Sequence, residues 1–253
     1  MTQEIRKAAM ITGAASGIGR ACALRFAAAG FDLVLTDLSA DGLLTVAHEC
    51  AASGAQIESL CADITAKDTA ENCVAIALER FSRLDAAVNC AGIAGPHWPA
   101  AEFPEEDWLK VINVDLVAVW RCLKHQVLAM RTAGNGGTIV NIASTAGLKG
   151  YAANGAYCAA KHGVVGMSKS AAIDYAPEGI RINVICPGVV LTPLVESVVA
   201  EHPEKIAGII ASHPIRRAGQ PSEIAETALW LSSDASSFVV GAALNVDGGH
   251  LAG

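Results

Sequence analysis

The chain predicts an α/β fold in which one doubly wound, mainly parallel sheet carries helices on both faces, in a single domain over residues 1–253. Three observations carry that reading. Apolar strand-like runs alternate with helix-like segments along nearly the whole length, the pattern crossover units produce. Those runs are continuous rather than alternating, as strands covered on both faces must be. With 52% of residues hydrophobic and only 17% charged, the chain has the apolar material for such a core.

Ala8 to Thr12 is the first apolar run, closed by a glycine-rich turn; Ile18 to Ala29 then has helical spacing and stops at Gly30. Leu33 to Thr36 is a second strand, ended by Asp37. Residues 41–53 read as helix, 57–61 as strand, 67–81 as an amphipathic helix and 86–88 as a short strand ending at Asn89. Pro104 suits a helix start and opens one long helical stretch to about Met130. Glycines at 134, 136 and 137 turn the chain into the β-branched strand 138–143. A second long helix runs from near Asn154 to Tyr175, strand 180–185 follows, and Leu244 to Val246 is the last strand. The irregular stretch at about 189–214 interrupts the alternation and is the candidate substrate lid.

A formal charge of −7, with no basic stripe, argues against nucleic acid as a partner; Arg216-Arg217 is an exposed turn or a single anion contact. No apolar run reaches a membrane span, and no signal-peptide core precedes the first strand, so no membrane association is expected. The eight cysteines are scattered without a Cys-x-x-Cys pair, which suits reduced thiols in the cytoplasm. The seven histidines show no metal-ligand spacing.

The turn Thr12-Gly13-Ala14-Ala15-Ser16-Gly17-Ile18-Gly19 departs from the Gly-x-Gly-x-x-Gly spacing but keeps its context of strand, glycine turn and helix. The helix start offers free N–H groups and a positive dipole end to a pyrophosphate. This makes the fold Rossmann-type. Asp37 stands where an acid hydrogen-bonds the adenosine ribose hydroxyls, and it repels a 2′-phosphate. No cation at Ala14, Ala15, Ser16 or Leu38 offsets it, so the cofactor expected is NAD rather than NADP.

Tyr157 and Lys161 lie one helical turn apart on one face. An ammonium, helped by an oxidised nicotinamide, stabilises the phenolate; lowering a phenol by about two to three units needs roughly 3–4 kcal/mol. The ordered set Thr12-Gly13-x-x-x-Gly17-Ile18-Gly19, Asn89-Cys90-Ala91-Gly92, Ser144, Tyr157-x-x-x-Lys161 and Pro187-Gly188 resembles the short-chain dehydrogenases/reductases over essentially the whole chain. Cys90 departs from the family, which often has a second asparagine there.

The resemblance implies roles. Tyr157 would be the general acid/base and Ser144 would hydrogen-bond the same substrate oxygen. Lys161 would lower the Tyr157 pKa and hold the nicotinamide ribose, and Asn113 would position a proton-relaying water. Asp63 and Ile64 would hold the adenine, while Asn89, Ala91 and Gly92 line the adenosine side. Pro187 and Gly188 would turn beside the nicotinamide, with Ile185 and Thr192 as candidates for its carboxamide.

By the same analogy the pocket is walled by Thr145, Ala146, Lys149, Tyr151 and Asn154, the Gly95-Pro96-His97-Trp98 loop and Val189-Val190. The lid adds Leu194, Val195, Val198, Val199, Ile206, Ile209 and Ile210, an apolar face that equally suits packing on its own domain or a neighbouring subunit. The expected activity is NAD-dependent interconversion of a secondary alcohol and a ketone on an apolar or cyclic small molecule. A 3-oxoacyl (acyl carrier protein or CoA) reductase would share every catalytic residue, and a non-catalytic NAD(H)-binding module is the other alternative. A homotetramer is expected, with the two long helices as one interface; Gly163 and Gly166 either allow close packing there or are equally well read as cheap helix irregularities.

Overall fold

The computed structural model describes residues 6–193, 195, 208, 210, 211 and 213–252. Seven strands form one sheet in the order β3-β2-β1-β4-β5-β6-β7, every neighbouring pair parallel. They are β1 (Lys7–Thr12), β2 (Phe31–Asp37), β3 (Ile57–Cys61), β4 (Ala86–Asn89), β5 (Gly137–Ile142), β6 (Ile180–Pro187) and β7 (Ala243–Val246). The helices are α1 (Gly17–Ala28), α2 (Ala40–Ala51), α3 (Thr69–Phe81), α4 (Glu105–Ile112), α5 (Ala118–Ala133), α6 (Gly155–Tyr175) and α7 (Pro221–Leu231).

The unbroken apolar strands follow from the two-layered core. Ala9 and Ile11 of β1 and Leu33 and Leu35 of β2 pack among Phe26, Val46 and Ile224 on one face. Their neighbours Met10 and Val34 point the other way, into the cluster of Cys73, Leu123, Met130 and Ile139. Successive side chains of a strand leave opposite faces, so a strand covered on both sides has no polar face to show.

Two elements depart from the sequence reading. The stretch from Pro104 is one continuous helical rod from Glu105 to Ala133, but residues Asn113–Val117 are wound as a π-helix. Helix α7 has no counterpart in the sequence reading. Its start is fixed by Pro221 at the first helical position and by Glu223, whose Oε2 accepts from the Gln220 N–H at 2.7 Å. Arg217 clamps the same carboxylate at 2.8 and 2.7 Å, holding it well below the ordinary range at about 2, with the Gln220 N–H as the second cause.

A Cβ on Gly163 would meet the Leu116 side chain at 2.8 Å, so its smallness serves packing inside the chain. A Cβ on Gly166 meets nothing within 4 Å.

Candidate active site

The sheet order reverses between β1 and β4, and the chain leaves these two strands in opposite directions. That divergence opens a crevice at the carboxyl ends of the strands. A cavity of about 700 Å³ occupies it. Its floor is tied together by one hydroxyl: Thr12 Oγ1 accepts from the N–H groups of Cys90 and Ala91, both at 3.1 Å.

The glycine turn is shaped by contact. Gly13 has φ +65°, and a Cβ on it would lie 2.9 Å from Ala91 Cα. A Cβ on Gly19 would run into the Gly13 carbonyl. Helix α1 therefore begins tight against the β1 end, with no acidic side chain in its first turn and no capping hydrogen bond from Ser16. Its positive end faces the cavity, where Gly13, Ser16, Gly17, Ile18 and Gly19 all line the wall.

Asp37, at the end of β2, is fixed by two backbone donors. Its Oδ2 accepts from Ala15 N at 3.0 Å and its Oδ1 from Ser39 N at 3.1 Å. The carboxylate is thus bound to the phosphate turn and presented at the cavity wall beside Leu38. Asp63, Ile64, Ala91, Gly92, Pro187, Gly188 and Thr192 line the same cavity.

Asn89 does not. It is 1% exposed and turned into the core, where its Nδ2 donates to Gln126 Oε1 at 3.0 Å and to Asn141 Oδ1 at 2.7 Å. Gln126 Nε2 returns a bond to Asn89 Oδ1 at 2.8 Å, and Asn141 Nδ2 donates to Ser168 Oγ at 2.8 Å. An amide at a strand end alternates between cavity and core with the pleat, and the local pattern did not decide which. Ile185 is likewise fully buried, in the core cluster rather than at the cavity.

Ser144 follows β5 and caps the short turn Thr145–Gly147, with its Oγ accepting from Ala146 N at 3.1 Å. Tyr157 and Lys161 come from the first two turns of α6. The three residues and Asn113 all line the cavity. Lys161 is buried, with Nζ 5.3 Å from the Tyr157 ring centroid and donating to Ile142 O at 3.3 Å. Burial pushes Tyr157 above its ordinary value; Lys161 pulls it down, Asp115 raises it again, and a hydrogen bond with Ser144 lowers it.

Lys161 also meets Asp115, two residues beyond Asn113 in the π-helical segment, with Oδ2 at 3.4 Å from Nζ. The sequence reading missed it. An acid flanked by Val114 and Leu116 inside a helical stretch was the available signal.

Of the expected lid, Thr192, Pro193 and Val195 line the cavity. Ile210 is partly buried, whereas Leu194, Val198, Val199, Ile206 and Ile209 lie outside the described residues. Around the expected pocket wall, Tyr151 OH donates to Thr145 Oγ1 at 2.9 Å and stands 2.8 Å from His250 Nε2, and Trp98 bridges to Asn154.

A glycine phosphate turn, a ribose-side acid, and a serine, tyrosine and lysine on one wall define a nucleotide-dependent dehydrogenase/reductase. A family model described as enoyl-(acyl carrier protein) reductase matches residues 13–250, and the chain belongs to the short-chain dehydrogenase/reductase family. It is 41% identical over 244 residues to cyclohexanol dehydrogenase of Acinetobacter sp. (strain SE19), covering 96% of this chain and 94% of that one. Identity to cis-4-hydroxycyclohexanecarboxylate dehydrogenase of Sinomonas cyclohexanicum is 42% over 246 residues, 97% of each chain. Among solved structures, carveol dehydrogenase from Mycobacterium avium in complex with NAD superposes with a TM-score of 0.93 at 29% identity, covering 98% of both chains. An actinorhodin polyketide ketoreductase variant with NADPH gives 0.92 at 36% identity and 99% of both. The family thus includes structures with either nicotinamide cofactor, and the chain is an oxidoreductase.

Proposed function

We propose that this enzyme uses NAD to interconvert a secondary alcohol and a ketone on a small, mainly apolar, cyclic molecule. The observation that carries the reading is the convergence of Ser144, Tyr157 and Lys161 on the cavity that also holds the Asp37 carboxylate. Similarity to enzymes named for cyclohexanol and hydroxycyclohexanecarboxylate supports the cyclic body.

The cavity wall fits a dinucleotide by its own features: glycines that a Cβ would obstruct, a helix end with no internal acid, and a carboxylate held by backbone donors. Gly13, Ser16, Gly17, Ile18 and Gly19 would face the pyrophosphate, Asp37 the adenosine ribose, and Asp63 and Ile64 the adenine. Ala91, Gly92, Pro187, Gly188, Thr192 and Lys161 would follow the remainder. A fixed carboxylate with no cation beside it disfavours a 2′-phosphate, which is why NAD is preferred here over NADP. When bound, the nicotinamide supplies the hydride acceptor or donor.

The protein's own groups handle the proton and the oxygen. Ser144 Oγ would donate to the substrate oxygen and stabilise its developing charge. Tyr157 would take the hydroxyl proton in oxidation and give it back in reduction, with Lys161 compensating charge on the phenol oxygen. Water is kept from the floor by the buried packing around Lys161.

We further place the enzyme in the cytoplasm as a homotetramer. No helix among the described residues is long and apolar enough to cross a membrane, and five of the eight cysteines are buried thiols. Exposed Leu109, Trp120, Leu128 and Ile173 mark the long-helix side, while Trp230, Phe238 and Val240 mark the side near β7. Both are apolar surfaces of the kind oligomers cover.

The test is NADH or NADPH absorbance with a panel of cyclic and acyclic secondary alcohols and ketones. Cyclic substrates with NAD should give the highest kcat/KM, and Tyr157→Phe should lose about 10²–10⁴-fold in kcat while still binding NADH. Turnover confined to NADPH with 3-oxoacyl thioesters would replace this reading with the acyl-reductase one.

A further inference from the structure

After β7 the chain runs Asp247-Gly248-Gly249-His250-Leu251, and its own groups fold it into a turn. Asp247 is buried; its Oδ1 accepts from Gly249 N and its Oδ2 from Leu251 N, both at 2.9 Å. Gly248 and Gly249 take φ +60° and +85°, and a Cβ on Gly249 would lie 3.0 Å from Pro214. The carboxylate and the close approach together fix the turn that carries His250.

The His250 ring links two residues of the cavity wall, Ser144 and Gly188. On one side its Nε2 is 2.8 Å from Tyr151 OH, whose proton goes to Thr145 Oγ1 at 2.9 Å, so Nε2–H donates to the phenol oxygen. Thr145 is buried and directly follows Ser144. On the other side the ring stacks on His213, centroids 4.7 Å apart and planes 21° from parallel. His213 is buried, and its Nε2 accepts from Val189 N at 3.3 Å, in the loop leaving β6. A Cβ on Gly188 would meet that same nitrogen at 2.8 Å, so this glycine admits the ring. One chain of contacts thus runs from the serine turn to the Pro187-Gly188 turn, and the C-terminal segment completes it.

We propose that His250 is a positioning residue: through Tyr151 and Thr145 it holds the Ser144 hydroxyl in place, and its stack on His213 sets that hydroxyl relative to Pro187-Gly188. The inference rests on the reading of Ser144 as donor to the substrate oxygen. The other side of the serine turn is fixed by α6, since a Cβ on Gly147 would lie 2.8 Å from Lys161 O. Thr145 is the anchor on the remaining side. Neither Tyr151 nor His250 lines the cavity, so both act through the turn rather than on the substrate. Burial, His213 and Lys149 hold His250 below the ordinary histidine value, opposed by Asp247, so the neutral ring carries the one N–H that Tyr151 receives.

The test uses Tyr151→Phe, which keeps the ring and removes both hydrogen bonds, and His250→Leu. Hydrogen exchange of the full chain, read by mass spectrometry, needs no substrate. Exchange over residues 143–151 should rise by about tenfold, and over the phosphate turn 11–20 it should stay within about twofold. With an alcohol that turns over, each variant should lower kcat by about tenfold or more and leave NADH affinity within about twofold. Neither should lower kcat further in a Ser144→Ala background, and the Tyr151→Phe/His250→Leu pair should match the single variants. Losses that multiply with Ser144→Ala would overturn the proposal. So would exchange over 143–151 that does not rise in Tyr151→Phe, or that rises equally over 11–20, the mark of general destabilisation. Inactivity on every cyclic alcohol would count against the substrate class, and the exchange comparison would still decide this inference.

Discussion

Replacing Asn89 by leucine tests whether this residue serves the core or the cofactor. Leucine nearly matches the side chain in size but can neither donate nor accept. The exchange would strand Gln126 Oε1 and Asn141 Oδ1, which receive from Asn89 Nδ2 at 3.0 and 2.7 Å. It would leave Gln126 Nε2 with only a 3.5 Å contact to Met10 Sδ. Each buried polar atom left without its partner costs about 1–3 kcal/mol, so the two stranded acceptors alone amount to roughly 2–6 kcal/mol, and the weakened donor adds to this. That is a large share of the roughly 5–15 kcal/mol by which folded proteins exceed their unfolded states. Urea unfolding at one fixed protein concentration reads the loss, since a self-associating chain shifts its midpoint with concentration. Adding Gln126→Leu should recover part of the stability, because an apolar pair leaves fewer unsatisfied atoms. NADH affinity should change by less than about threefold, as Asn89 is not on the cavity wall. A loss below about 1 kcal/mol, or a double variant no more stable than the single one, would refute the reasoning.

Two further outcomes follow from surfaces already described. Asp37→Ser combined with Leu38→Arg removes the fixed carboxylate and supplies a cation at a position that is 71% exposed; the NADP-to-NAD ratio of kcat/KM should rise by about 10²-fold or more, measured with one alcohol substrate. Phe238→Asp puts a charge on a ring that is 101% exposed, and light scattering at micromolar concentration should show a smaller assembly than that of the unsubstituted chain. An unchanged mass would remove the region near β7 from the oligomer interface.

Much of this architecture was legible in the residues because the signals were local. Gly19 is required by a contact within its own turn, and Tyr157 and Lys161 are paired by one helical turn. The central strands were legible because burial on both faces makes their runs mainly apolar. What escaped depended on partners distant in sequence. Asn89 is turned inward by Gln126 and Asn141, 37 and 52 residues away. Asp115 becomes intelligible only when α6 brings Lys161 against it. The π-helical winding at Asn113–Val117 is invisible to periodicity, since five residues are too few to displace an apolar stripe. Helix α7 did carry local signals, Gln220-Pro221 followed by Glu223, but the preceding irregular stretch obscured where helical spacing resumed.

The rod that carries that short π-helical segment makes chain length, as well as side-chain identity, a constraint on this enzyme. Each residue of an α-helix advances the winding by about 100°, so removing one residue between Ala118 and His125 would turn everything beyond it by roughly that angle relative to Asp115, whereas a π-turn can lose one residue and close to an α-turn. Asp115 faces Lys161, and Gln126 on the same rod reaches Asn89. The two contacts share one rotational setting, so a single-codon deletion ahead of Gln126 in α5 would misdirect it as surely as replacing it. Substitution tolerance and deletion tolerance should therefore diverge sharply along this rod.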